Sequence, residues 1–68
     1  MYVRLWHFLE EVGDFKIEVF EHVSYIDQAK GIIQFKKGSK EYRKHKEMKG
    51  MYLFTWDEQR DSLEIWEK

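Results

Sequence analysis

Residues 50 to 56, with the sequence Gly-Met-Tyr-Leu-Phe-Thr-Trp, form the longest stretch of this 68-residue chain that lacks a side chain ionised at neutral pH. Because 37% of all residues are charged, this segment is the one least suited to a solvated edge. Its apolar, aromatic and β-branched residues are typical of a strand, and Gly50 and the polar residues 57 to 61 bound it. The sequence therefore predicts an inner β-strand here.

Two pairs of alternating segments predict two β-hairpins. Residues 2 to 9 and 15 to 23 alternate around a polar turn, which places Leu9 opposite Phe15 across a five-residue loop. Residues 51 to 56 and 62 to 66 form the second pair, with Tyr52 opposite Trp66. Because side chains alternate across a strand, each hairpin has an aliphatic face and an aromatic face.

The segment between the hairpins, residues 24 to 49, fits two structures. Ile26, Ala29, Ile32 and Ile33 recur at helical spacing, which predicts a helix over residues 26 to 36. Against this helix, Gly31 in its interior costs about 1 kcal/mol, and residues 32 to 35 also suit a strand.

Capping residues in this middle segment also favour helices. Ser24 and Asp27 fit a capping box at the start of the first helix. Ser39 is a suitable N-cap for a second, short helix over residues 40 to 49, which Gly50 would end.

The predicted fold class is α+β, in one domain that spans residues 1 to 68. Two β-hairpins form an antiparallel four-stranded sheet, and the helical middle segment packs across its aliphatic face. The alternative is a small all-β barrel of five or six strands, in which the aromatic side chains fill the interior.

Composition excludes several functional classes. The chain has no cysteine, which excludes disulfides and thiolate metal sites. No apolar run approaches the roughly 18 residues of a membrane span, and no signal peptide is evident at the start. We therefore expect a cytoplasmic protein with no membrane partner, located in the host cytoplasm if the gene is viral.

No arrangement of residues points to catalysis, a cofactor or a metal. The histidines His7, His22 and His45 do not converge in the predicted pairing, and no zincin-type motif links them. The few serines suit caps and turns, and no nucleophile motif or phosphate-binding glycine loop occurs. The sequence predicts a protein that is not an enzyme and binds no cofactor.

The basic segment, residues 36 to 49, holds seven Lys or Arg residues against two Glu, although the whole chain has a net charge of only −1. Such a segment can track a phosphate backbone and stack a base, or it can simply keep a small protein soluble. The candidate residues for binding an anion or nucleic acid are Lys40, Tyr42, Arg43, Lys44, His45, Lys46 and Lys49.

The aromatic faces of the two hairpins are the second candidate surface. Exposed tyrosine and tryptophan residues dominate binding hot spots, and helices that cover the aliphatic faces would leave the aromatic faces open. The candidate protein-binding residues are Trp6, Tyr52, Phe54, Trp56 and Trp66. The predicted function is a non-enzymatic protein-binding module or inhibitor, of the kind phages and prophages encode against host proteins. Its expected partner is another protein, or a second copy in a homodimer, and nucleic acid is the alternative.

Overall fold

Short alternating segments separated by glycine-containing turns give this chain strands along nearly half of its length. The computed structural model describes residues 1 to 67. Its elements are β1 (Tyr2–Leu9), β2 (Asp14–Phe20), β3 (Val23–Asp27), β4 (Ile32–Phe35), α1 (Lys40–Lys44), a 3-10 helix (Lys46–Met48), β5 (Met51–Leu53) and β6 (Ser62–Trp66).

The strands form two antiparallel three-stranded sheets. The first sheet has the order β2-β1-β6 and the second has the order β3-β4-β5. At one end two hydrogen bonds join the sheets. The Val23 N–H donates to the Met1 carbonyl, and the Met1 amino group donates to the Val23 carbonyl. The core between the sheets draws on both of them and consists of Val3, Leu5, Phe20, Val23, Ile33, Phe35 and Phe54.

This architecture overturns the predicted α+β fold. Residues 1 to 67 form no four-stranded sheet, and the segment predicted as a helix over residues 26 to 36 contains the last two residues of β3 and all of β4. Ile26 lies opposite Ile33 across this hairpin, and both side chains contact the core. The predicted cap residue Ser24 instead donates its hydroxyl to the carbonyl of Gln34, bracing the two strands. The alternative prediction of five or six strands matches the strand content of residues 1 to 67, but its barrel is wrong, because the strands form two separate three-stranded sheets.

Gly31 explains why the chain turns here. Its φ of +71° is a left-handed conformation that suits glycine, and its N–H donates to the carbonyl of Asp27 to close the turn. A Cβ at Gly31 would overlap the carbonyl oxygen of Phe54. That close approach lets Gly31 accept a hydrogen bond from the N–H of Phe54, which fixes the end of β5.

The segment that the sequence predicts as an inner strand is an edge strand. β5 covers only residues 51 to 53 and pairs with β4 alone. The predicted hairpin between residues 51 to 56 and 62 to 66 is wrong, because β6 pairs with β1 in the other sheet. Beyond Leu53, the Phe54 side chain turns into the core and leaves the sheet.

The first predicted hairpin is confirmed, but its register differs by one residue. Leu9 lies opposite Asp14, and Phe15 lies opposite Phe8. Gly13, with a φ of +65°, lets the chain close a four-residue loop in which its N–H donates to the Leu9 carbonyl. Since side chains alternate along a strand, this shift moves every side chain of β2 to the face opposite to the predicted one.

The short helix predicted over residues 40 to 49 begins after Ser39 as expected, but as α1 it ends at Lys44. The Ser39 hydroxyl accepts a hydrogen bond from the Tyr42 N–H. The 3-10 helix follows it and leads through Gly50 into β5. Within residues 1 to 67, no helix has the length and apolar character needed to cross a membrane.

Candidate functional site

The outer face of the first sheet carries a group of large apolar side chains that do not reach the core. The observed register places Trp6 between Ile17 on β2 and Ser62 on β6, whereas its neighbour Leu5 points into the interior. We call this surface the aromatic face. Its members are Tyr2, Arg4, Trp6, Phe8, Phe15, Ile17, Val19, Ser62, Glu64 and Trp66.

Solvent exposure separates this face from the core. Phe15, Ile17 and Val19 are 43%, 45% and 49% exposed, and Trp66 is 37% exposed, whereas Leu5 on the inner side is fully buried. Apolar side chains that are exposed together on one face mark contact sites, whereas ones scattered singly over a surface are ordinary. The aromatic face therefore has the character of an interaction surface.

Arg4 lies at the centre of the face between two tryptophans. Its guanidinium carbon is 4.3 Å from the centroid of the Trp66 ring and 5.8 Å from that of Trp6, within cation–π range. Its Nε is 3.7 Å from Glu64 Oε1 and is shielded from solvent, with no hydrogen-bond acceptor among residues 1 to 67. Glu64 Oε1 instead accepts a 2.6 Å hydrogen bond from the Trp6 indole N–H.

Ring contacts hold the remaining aromatic side chains in place. Phe15 contacts both Trp6 and Phe8 edge-on, with centroid separations of 6.1 and 5.3 Å, and Tyr2 contacts Trp66 at 5.3 Å. Such pairs restrict ring motion before any partner arrives, which lowers the entropy lost on binding. The arrangement is suited to recognition of an apolar surface.

The structure separates the five predicted protein-binding residues. Trp6 and Trp66 lie on the aromatic face, whereas Phe54 is buried in the core. Tyr52 and Trp56 are half-buried and pack against that core, and the Trp56 indole N–H donates to the Gln28 carbonyl.

Sequence reasoning placed Arg4 on the same side of β1 as Trp6 but did not name it as a binding residue, and it missed Phe15, Ile17 and Val19 as members of the face. The sequence pattern of the last three residues is typical of the core side of an alternating strand. They lie on the outer face only because the loop between β1 and β2 has four residues rather than five. The one available signal was Gly13, which permits the left-handed conformation that closes the loop one residue earlier.

The basic segment exposes its cationic side chains to solvent, whereas its two ring side chains pack against the protein. Lys40, Arg43, Lys44, Lys46 and Lys49 are exposed. By contrast, Tyr42 lies over Gly50, and His45 stacks on Phe35 at 5.7 Å with an interplanar angle of 14°. The two groups predicted to stack bases are thus packed against the protein itself.

The histidines have separate partners. His7 lies between two carboxylates, with Nε2 2.7 Å from Glu18 and Nδ1 3.6 Å from Asp61. Asp61 in turn accepts hydrogen bonds from the backbone N–H groups of Asp57 and Phe8, which lower the pKa of its carboxyl group. This network ties the loop before β6 to β1 and β2, so its evident role is structural.

His22 belongs to a second polar cluster, at the start of α1. Its Nδ1 lies 3.1 Å from Glu41 Oε1, and Glu21 completes a group whose possible ligand atoms lie within 4.8 Å of one another. Burial alone would raise the pKa of Glu41, but a hydrogen bond from its own backbone N–H and the contact with His22 lower it. The exposed His22 and the half-buried Glu41 already satisfy each other as a hydrogen-bonded pair.

Comparison with known protein families, with curated proteins and with solved structures found no match for this chain.

Proposed function

We propose that the protein is a small, non-enzymatic module that binds another protein through the aromatic face. The observation that carries the proposal is the pre-ordered row of half-buried and exposed rings around Arg4 on the first sheet. Tryptophan, tyrosine and arginine are the residues enriched in binding hot spots, and here all three types lie side by side. An inhibitor would need only such a surface, because blocking the functional site of a partner protein requires no catalytic residues.

The side chains of the aromatic face also indicate which kind of partner surface they would bind. Phe15, Ile17 and Val19 offer an apolar surface that favours an apolar counterpart. The Arg4 side chain lies among the rings and is 34% exposed. Its charge is compensated by Glu64, whose Oε1 lies 3.7 Å from the Arg4 Nε. A carboxylate of the partner that reached Arg4 would form a charge-assisted hydrogen bond in a partly desolvated setting. We therefore propose a partner surface that is apolar and carries an acidic side chain.

Selection from a displayed library of random peptides tests this proposal. Immobilised protein should enrich peptides with aromatic or branched aliphatic residues around an Asp or Glu. Replacing Arg4 by Gln should weaken binding of these peptides about tenfold or more, since one charge-assisted hydrogen bond contributes about 1.5 to 3 kcal/mol. The matched control is Arg43→Gln, which removes an exposed arginine from the basic segment. Enriched peptides without an acidic residue, or equal effects of the two substitutions, would contradict the proposed partner chemistry.

A second candidate function is binding of an anionic macromolecule, including nucleic acid, by the basic segment. The observation in its favour is that five of its cationic side chains, Lys40, Arg43, Lys44, Lys46 and Lys49, are all exposed. Because counterion release makes phosphate binding strongly dependent on salt, titration with single- and double-stranded nucleic acid at two salt concentrations tests it. Absence of binding at low salt would exclude this function.

A further inference from the structure

Strand β2 is an open edge of the first sheet. It lies at the end of the order β2-β1-β6, and no strand within residues 1 to 67 pairs with its outer side. It is seven residues long, contains no proline, and pairs with β1 without a bulge. Edge strands usually carry a device that prevents pairing with another chain. A long, regular edge without proline is therefore a candidate for pairing between molecules.

The direction of its backbone groups follows from two hydrogen bonds. The Phe8 N–H donates to Asp61 on the β6 side, so it points away from Phe15, its partner on β2. The Phe15 N–H is held by the Asp14 carboxylate rather than by β1. Because backbone groups alternate in direction along a strand, Phe15, Ile17 and Val19 turn their N–H and C=O groups toward the open edge.

Charges on β2 select one register for self-pairing. Antiparallel pairing about a two-fold axis at Ile17 places Lys16 of each copy opposite Glu18 of the other, and Phe15 opposite Val19. Axes at Lys16 or Glu18 would place like charges opposite each other.

We propose that two copies of this protein pair through β2 about a two-fold axis at Ile17. The Ile17 residues exchange N–H···O=C hydrogen bonds, and the Val19 N–H of each copy donates to the Phe15 carbonyl of the other. The two first sheets thereby become one continuous sheet. The aromatic faces of both copies lie on its same side, with Phe15, Ile17 and Val19 at the seam.

This pairing goes beyond the proposed function and does not depend on it. The edge can pair whether or not the aromatic face binds a partner, and a peptide can bind one face without pairing. A single strand pair has little contact area, and interfaces below roughly 1,200 Å² form weak, transient complexes. The test must therefore trap the pair as it forms.

Disulfide trapping is direct because the chain has no native cysteine. In a hydrogen-bonded antiparallel pair, Cα atoms directly opposite each other lie about 5.5 Å apart, within disulfide range. Ile17→Cys should therefore form an intermolecular disulfide under mild oxidation. The matched control is Val19→Cys, at a site of similar exposure whose two copies would lie more than about 13 Å apart. We expect cross-linking of Ile17→Cys to be about tenfold faster, because only its geometry satisfies the bond.

A charge substitution provides the second measurement. Adding Lys16→Glu to Ile17→Cys places glutamates opposite each other and should slow cross-linking severalfold. Lys40→Glu makes the same charge change away from the edge and should have little effect. Both cysteine variants replace exposed side chains, and circular dichroism will verify their folding. Equal rates for Ile17→Cys and Val19→Cys, or equal effects of Lys16→Glu and Lys40→Glu, would overturn the proposal.

Discussion

The guanidinium of Arg4 lies against the ring of Trp66, with its Cζ 4.3 Å from the ring centroid, on the solvent side of the first sheet. The contact joins β1 to β6, two strands at opposite ends of the chain. A charged group held against exposed aromatic rings is poorly placed to stabilise a core, but well placed to meet a partner's carboxylate. The same row of rings continues through Trp6 to Phe15 on β2.

Gly31→Ala should destabilise the protein by several kcal/mol. The left-handed backbone alone costs roughly 1 to 2 kcal/mol for a non-glycine residue, and the added Cβ would also collide with the Phe54 carbonyl. Gly13→Ala is the matched control, since Gly13 has a similar φ and no atom within 4 Å of the added methyl group. Urea denaturation measures both variants. Equal losses would show that the close approach of Phe54 contributes nothing to stability.

Ile33→Ala should cost about 2 to 5 kcal/mol, because Ile33 is fully buried and its truncation leaves a cavity. With total stabilities of about 5 to 15 kcal/mol for small domains, this variant would be close to unfolding. Ile17→Ala removes the same atoms from a side chain that is 45% exposed, and it should cost less than about 1 kcal/mol. Thermal unfolding compares the two. A larger loss at Ile17 would show that the aromatic face belongs to a core.

Stability should fall in acid partly through Asp61. Its folded-state pKa lies below the ordinary carboxyl value, because backbone N–H groups of Asp57 and Phe8 bind the carboxylate. The stabilising contribution is therefore present above the ordinary value and is lost as pH falls through the folded-state pKa. Asp61→Asn should lower stability at neutral pH by about 1.5 to 3 kcal/mol and flatten the decline in acid. Urea midpoints between about pH 7 and pH 3 measure this effect.

The control for Asp61 is Glu58→Gln, which neutralises an exposed carboxylate in the same loop. It should leave both the neutral-pH stability and the acid decline nearly unchanged. An acid profile of Asp61→Asn parallel to that of the unmodified protein would rule out the assigned role of this carboxylate.

Period-two alternation was enough to find β1, β2 and β6, and Ser39 was enough to place the start of α1. The middle segment was wrongly predicted as a helix, because the spacing between Ile26 and Ile33 fits both two helical turns and a pair of opposite residues in a hairpin. The turn at Gly31 decided between them, and its left-handed conformation is stabilised by contact with the distant Phe54. A local pattern does not contain that contact.

The pairing of strands also could not be predicted from local sequence patterns. β6 alternates as expected, but nothing in its own residues states that its neighbour is β1 rather than β5. The candidate site depended on this choice, because Trp66 meets Arg4 only when β6 lies beside β1. Trp6 and Trp66 could be predicted as binding residues from their type, whereas Tyr52, Phe54 and Trp56 pack on the core because β5 joined the other sheet.

The most direct test of the binding role compares two aromatic truncations on opposite sheets. Trp66 is 37% exposed on the aromatic face, and Tyr25 is 55% exposed on the second sheet. Calorimetric titration with a selected peptide should show that Trp66→Ala weakens binding at least about tenfold, whereas Tyr25→Ala leaves the Kd unchanged. Circular dichroism should show both variants folded. Unchanged affinity in a folded Trp66→Ala variant, or a loss confined to Tyr25→Ala, would contradict the assignment of the aromatic face as the binding surface.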